Sequence, residues 1–235
     1  MRLKTFLNED KYIEPGPERI KAVDAFCDRV KKDCRPFLAL LKKVHPRDFI
    51  YRGFPSGVFI GKKRVRQDRL PSGMSEEMAD ALNKYLVEHD HVDRSKAVIA
   101  TSKKDHCSEF GYPYYIFPIG RFNYTWFNSR EEDVNYDYMF KKTMDDLIHA
   151  EYYIGVLSKP NYNRITGKLI DMSNDINRWK DRLNSALERL DLYFVTNKGF
   201  TSACKMGKEI WFSCKEYYFL DHSYLNPIDL KEKLI

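Results

Sequence analysis

The stretch Lys208–Tyr218, Lys-Glu-Ile-Trp-Phe-Ser-Cys-Lys-Glu-Tyr-Tyr, limits what this chain can fold into more than any other. Ile210, Trp211 and Phe212 are strand formers, and Tyr217, Tyr218 and Phe219 resume the pattern after a short break. The stretch reads as buried strand. Its leading edge carries one carboxylate, Glu209, with Gly207 just before it. An acid at a strand entrance beside a glycine either lines a cleft or is an ordinary solvated strand end. Other stretches must decide between these readings.

The chain has 235 residues, enough for one large domain or two small ones, and a single core is expected. Sixteen Tyr and fifteen Phe make stacking and large-area contacts available. Forty Lys and Arg against 34 Asp and Glu leave a net charge of +6, which suits a polyanionic partner without demanding one. Five cysteines without a Cys-x-x-Cys pair fit a reduced, cytoplasmic protein. His89, His91, His106 and Cys107 are loosely grouped, but their spacing matches no common zinc pattern, so no metal is expected. No run approaches the roughly 18–20 apolar residues that span a bilayer, and no membrane association is expected.

Taken in order, Pro17 opens an amphipathic helix with Ile20, Val23, Phe26 and Val30 on one face. A short helix with Phe37, Leu38, Leu40 and Leu41 follows. Phe49-Ile50-Tyr51-Arg52-Gly53-Phe54 reads as a strand that carries an arginine where a core residue would be expected. Such an arginine needs a partner. A phosphate or carboxylate suits its fork, and a salt bridge or an edge position is the plainer alternative. Gly53 lets another backbone or a ligand come close.

Lys62, Lys63, Arg64, Arg66 and Arg69 then form a basic run that is either a solvated face or a phosphate-contacting loop. A helix capped by Ser75 is expected next, with Met78, Leu82, Tyr85 and Leu86 inward. Arg94–Ser102 reads as another strand, and 103–110 as a short helix with Cys107 and Phe110 inward. Tyr114–Gly120 and Phe122–Phe127 read as two strands joined by a tight Gly120-Arg121 turn, with Pro118 marking an edge or a bulge. Residues 129–190 read as a helical insertion between two strand-rich parts. Residues 192–196 return to strand, and Gly199–Met206 is a connector or short helix.

Three pieces now stand in order: Tyr51-Arg52-Gly53, a strand ending Ala100-Thr101-Ser102, and Glu209 leading an apolar strand. Together they resemble the ADP-ribosyltransferase fold of the arginine–serine–glutamate type. That group has an aromatic-Arg-Gly on its first core strand, a Ser/Thr-rich second strand and a glutamate opening a late strand. The resemblance covers roughly residues 35–127 and 192–220. Arg94–Phe127 and the Cys214-Lys215-Glu216-Tyr217-Tyr218 ending are also similar to small uncharacterised proteins of tailed bacteriophages. Two departures stand out. Ala100 occupies the first position of the group's usual Ser-Thr-Ser, and Gly207 stands where Glu or Gln often precedes the catalytic glutamate.

The resemblance implies an α+β fold, an ADP-ribosyltransferase-like split β-sandwich with flanking helices, as one domain over 1–235 with the insertion at about 129–190. It implies NAD as substrate and ADP-ribosyl transfer, or NAD hydrolysis. Glu209 would be catalytic. Arg52, Thr101, Ser102, Phe110 and Tyr115 would bind NAD, with Tyr112 as a further stacking candidate. The acceptor would be a host or phage macromolecule, protein or nucleic acid, or water. The protein would work in the cytoplasm, that of the host for a phage-encoded chain, or in the virion. A rival expectation keeps the fold without catalysis, as a virion-associated interaction protein or a basic nucleic-acid-binding protein using 62–69.

Overall fold

Pro17 begins helix α1, Pro17–Asp33, and Val23, Phe26, Cys27 and Val30 bury one of its faces. Ile20, expected on that face, is 62% exposed. Helix α2, Arg35–Leu41, buries Phe37, Leu38 and Leu41. A computed structural model describes residues 17–55, 57–67, 76–108, 110–128 and 193–235, with the single positions 181, 185, 187, 188 and 191. Ser75, Arg69 and nearly all of the expected insertion at 129–190 lie outside these residues. The chain divides into two compact units, one of residues 1–126 and 195–235, the other of residues 127–194. In the second unit, Phe127 packs its ring on Tyr193 and Phe194.

The remaining elements are β1 (Tyr51–Phe54), β2 (Ile60–Arg64), α3 (Glu76–Glu88), a 3-10 turn (Arg94–Lys96), β3 (Val98–Thr101), α4 (Lys104–Ser108), β4 (Tyr112–Pro118), β5 (Asn123–Phe127), β6 (Phe194–Thr196), α5 (Phe200–Lys205), β7 (Glu209–Ser213), β8 (Glu216–Asp221) and α6 (Pro227–Leu234). The strands lie in the order β2-β8-β4-β1-β3-β7-β5-β6. The β1–β4, β4–β8, β2–β8, β1–β3, β3–β7 and β5–β7 pairs are antiparallel, so the fold is α+β.

One joint in this sheet is weak. β1 and β4 share a register from Tyr51↔Tyr115 to Phe54↔Tyr112, whereas β1 meets β3 only at Tyr51↔Thr101. The sheet bends here. Residues 119–122 connect β4 to β5, yet four strand spacings separate those strands in the order. Four spacings span roughly 19 Å, more than the roughly 17 Å that so short a link reaches. Phe37 shows the result directly: its ring lies 6.1 Å from Phe117 on β4 and 6.0 Å from Phe212 on β7. The same link corrects the expected turn at Gly120-Arg121, because the strands on either side of it are not paired. Pro118 is not on an edge strand either. It is the last residue of β4, which has neighbours on both sides, and its missing N–H falls where the strand ends.

The apolar layer of α1 and α2 covers one face of the sheet. Phe26 and Phe37 meet Phe117 there, and Tyr115 and Tyr51 share its parity. Arg52 alternates to the other face. On β7, Ile210 and Phe212 pack on this apolar layer, and Glu209 and Trp211 alternate away from it.

Candidate functional site

Beyond the Tyr51↔Thr101 pair, β1 and β3 diverge, and Arg52 occupies the opening. Its Nη1 donates to the Ile99 carbonyl oxygen at 2.7 Å. Its Nε is buried without a hydrogen-bond partner among the described residues. Burial pulls the Arg52 pKa down, while Tyr217 and the Glu209 carboxylate oppose that shift. A guanidinium starts so high that it stays charged. The Arg52 Cζ lies 5.6 Å from the centre of the Phe54 ring, and Lys63 Nζ lies 4.1 Å from the same ring. Burial, then Arg52, lowers the pKa of Lys63.

Gly53 serves a backbone approach. A Cβ there would lie 2.4 Å from the Cys107 carbonyl oxygen and 2.9 Å from the Phe110 carbonyl carbon. The end of α4 and the turn after it therefore pass directly over β1 beside Arg52.

Glu209 faces Thr101 across the β3–β7 ladder. Its Oε1 accepts from Trp211 Nε1 at 2.5 Å and lies 3.6 Å from Arg94 Nη2. Its Oε2 enters no hydrogen bond or ion pair with the described residues. Arg94 Cζ sits 5.7 Å from the centre of the Trp211 ring. Trp211 is also the register partner of Ile99, whose carbonyl holds Arg52. The arginine and the glutamate are thus anchored on neighbouring points of one ladder.

The hydroxyls of the second strand face backbone. Thr101 Oγ1 donates to the Gly207 carbonyl at 3.1 Å and accepts from the Lys103 N–H at 3.2 Å. Ser102 Oγ donates to the Cys204 carbonyl. Both tie the end of β3 to the approach to β7, which supports Glu209 and leaves neither hydroxyl directed at a ligand. Tyr115 needs a larger correction. It is 1% exposed, its hydroxyl donates to the Leu225 carbonyl at 2.8 Å, and its ring packs 4.5 Å from Phe49 and 5.1 Å from Tyr51. No ring face remains for nicotinamide. Phe110, expected inward, is 73% exposed, because α4 ends at Ser108 and helical phase no longer applies to it. Phe110 and the exposed Tyr112 are the aromatic rings available near β1.

The basic run is largely committed. Lys62 and Arg64 approach Glu216 at 2.7 and 3.6 Å, and Lys63 turns onto the Phe54 and Phe219 rings. A cavity of about 320 Å³ lined by Phe26, Arg29, Ile60, Gly61, Lys62 and Tyr218 lies at the β2–β8 edge and contains Lys62 of the basic run but none of the candidate NAD-site residues. All five cysteines are buried and free, and burial raises the Cys34, Cys107, Cys204 and Cys214 thiols to about 12. Among the described residues no cluster of His, Cys, Asp and Glu is arranged to hold a metal ion, and no helix is long and apolar enough to cross a membrane.

Arg94 and Trp211 are the site residues that sequence reasoning missed. Trp211 was accessible to it, since residues two apart on a strand share a face. Nothing in the sequence pointed to Arg94. No family model matches the chain, and no curated protein or solved structure matches it either.

Proposed function

We propose that this protein uses NAD as a substrate and moves its ADP-ribose to a macromolecular acceptor or to water, on an ADP-ribosyltransferase-like split sheet. The observation that carries the reading is the convergence of Arg52 and Glu209. They lie on strands separated only by β3, at the joint where β1 and β3 part, and the Glu209 carboxylate acts electrostatically on the Arg52 guanidinium. The buried, unpartnered Nε of Arg52 fits a ligand that brings its own acceptor oxygens.

NAD supplies the electrophile: when the nicotinamide–ribose bond breaks, its electron pair leaves with nicotinamide and positive charge develops on the ribose. Glu209 offers Oε2 to a ribose hydroxyl, a hydrogen bond that strengthens as that charge grows. Its own negative charge stabilises the same state. Arg52 uses the donors not spent on Ile99 to hold a phosphate by charge-assisted bonds. Thr101 and Ser102 hold the β3 end in place. Phe110 or Tyr112 supplies an exposed ring for a planar base.

The test is incubation of the purified protein with adenylate-labelled NAD, alone and with cell lysate. Nicotinamide release is expected in both, with label moving to an acceptor in the lysate. Absence of release under either condition rejects the reading in favour of a non-catalytic interaction protein.

A further inference from the structure

We propose that Arg94 is a positioning residue for Glu209: it holds one carboxylate oxygen so that the other is presented to substrate. The proposal rests on the reading of the site as an NAD-using transferase. Both side-chain contacts of Glu209 fall on Oε1, the indole N–H of Trp211 at 2.5 Å and the guanidinium of Arg94 at 3.6 Å. A glutamate held at a single point still turns about its side-chain bonds, and ordering it costs entropy. One hydrogen bond from a fixed ring and one ion pair to a fixed cation, both on the same oxygen, reduce that freedom while leaving Oε2 for a ligand.

Arg94 is itself fixed for this task. Its side chain is 17% exposed and lies along the Trp211 ring. The preceding acid, Asp93, is already committed. Asp93 Oδ1 accepts from the Ser95 N–H at 3.0 Å and from Ser95 Oγ, and Oδ2 pairs with Lys96 at 2.9 Å. The 3-10 turn that carries Arg94 runs into β3, which is paired with β7. That short route brings Arg94 to the carboxylate. Arg52 cannot substitute for it, because its Nη1 is held by Ile99 on the β1 side of the joint. The two arginines therefore divide the work, Arg52 on the ligand and Arg94 on the glutamate.

The experiment compares wild type, Arg94→Ala and Arg94→Lys by nicotinamide release and by direct NAD titration, with thermal melts as a folding control. Arg94→Ala is expected to lose about 100-fold in turnover while NAD affinity stays within about twofold, the signature of a misplaced catalytic group. Arg94→Lys should retain part of that turnover, and millimolar guanidinium should restore part of it to Arg94→Ala. If Arg94→Ala does not fold, the Arg94→Lys turnover and affinity decide. Wild-type turnover in a folded Arg94→Ala overturns the assignment. So does a loss confined to NAD affinity, which would make Arg94 a ligand contact. A wild type that releases no nicotinamide rejects the transferase reading itself and this assignment with it.

Discussion

Arg52 spans the gap between β1 and β3 by donating from Nη1 to the Ile99 carbonyl oxygen at 2.7 Å. Backbone pairing between these strands ends at Tyr51↔Thr101, so a side chain continues a contact that the ladder no longer makes. This gives Arg52 two duties, one to the sheet joint and one to a ligand. Only a forked cation meets both, because one amino group can stay on the carbonyl while another nitrogen faces outward.

Arg52→Lys separates the two duties. Lysine keeps the charge as a point, and holding the Ile99 carbonyl then leaves little for a phosphate. NAD affinity should fall about tenfold or more. Calorimetric titration measures this directly, and an unchanged dissociation constant would remove Arg52 from the ligand site.

Gly53→Ala probes the crossing of α4 over β1. The new methyl would sit 2.4 Å from the Cys107 carbonyl oxygen, a backbone atom that cannot swing aside. A loss of about 1–3 kcal/mol is expected, as for other overpacked sites. Chemical denaturation gives the value, and wild-type stability would mean that the α4 turn is free to move.

The strands around Tyr51 and Glu209 were legible because strand-forming residues cluster there. Their partners were not, since pairing is decided by contacts far apart in sequence. The Gly120-Arg121 link shows this: the two strands were readable, but they never pair. Gly53 permits a close approach, and it is the backbone at the end of α4 that makes it. Helix α6 is legible in the sequence at its start. Asn226 before Pro227 is an N-cap followed by a first-turn proline, and Asn226 Oδ1 accepts from the Ile228 and Asp229 N–H groups. Arg94 had no such signal, because a charged residue before a strand reads as solvated until the strand order places Trp211 and Glu209 beside it.

Lys231 provides a stability test away from the site. It is 8% exposed, and its ammonium donates to the Val44 and His45 carbonyls at 3.1 and 2.7 Å. Burial lowers its pKa, with Asp48 and Cys204 opposing. Lys231→Met keeps the stem but leaves both carbonyls without this donor, and should cost about 1–2 kcal/mol. Urea unfolding should show a lower midpoint at unchanged slope. An unshifted midpoint would mean that the relief of burying a charge cancels the lost bonds.

His222 supplies a pH dependence. Burial, then Lys104, pushes its pKa below the usual 6.5, against Asp221 and the Pro113 carbonyl. The unfolded chain therefore takes up a proton at higher pH than the folded one. His222 costs no stability above about pH 6.5, and stability is lost as pH falls through that value toward the folded pKa. His222→Gln should flatten this part of the curve between about pH 7.5 and about pH 5.5. Denaturation at both pH values measures it, and equal slopes for variant and wild type would clear His222 of the effect.

Glu209→Gln tests the reaction itself. The amide oxygen can still accept from Trp211 Nε1, so the fold should survive, while the ion pair with Arg94 is lost. What disappears is the negative charge facing the ribose as its own charge develops. Turnover should fall by about 100-fold, on the order of 3 kcal/mol, as when one preorganised electrostatic group is removed. NAD affinity should hardly change, because that charge develops only on the way to bond breaking. This is the reverse of Arg52→Lys, which should weaken binding first. Nicotinamide release and NAD titration on the two variants therefore form a crossed test. If Glu209→Gln turns over like wild type, the carboxylate has no part in bond breaking, whatever Arg52 binds.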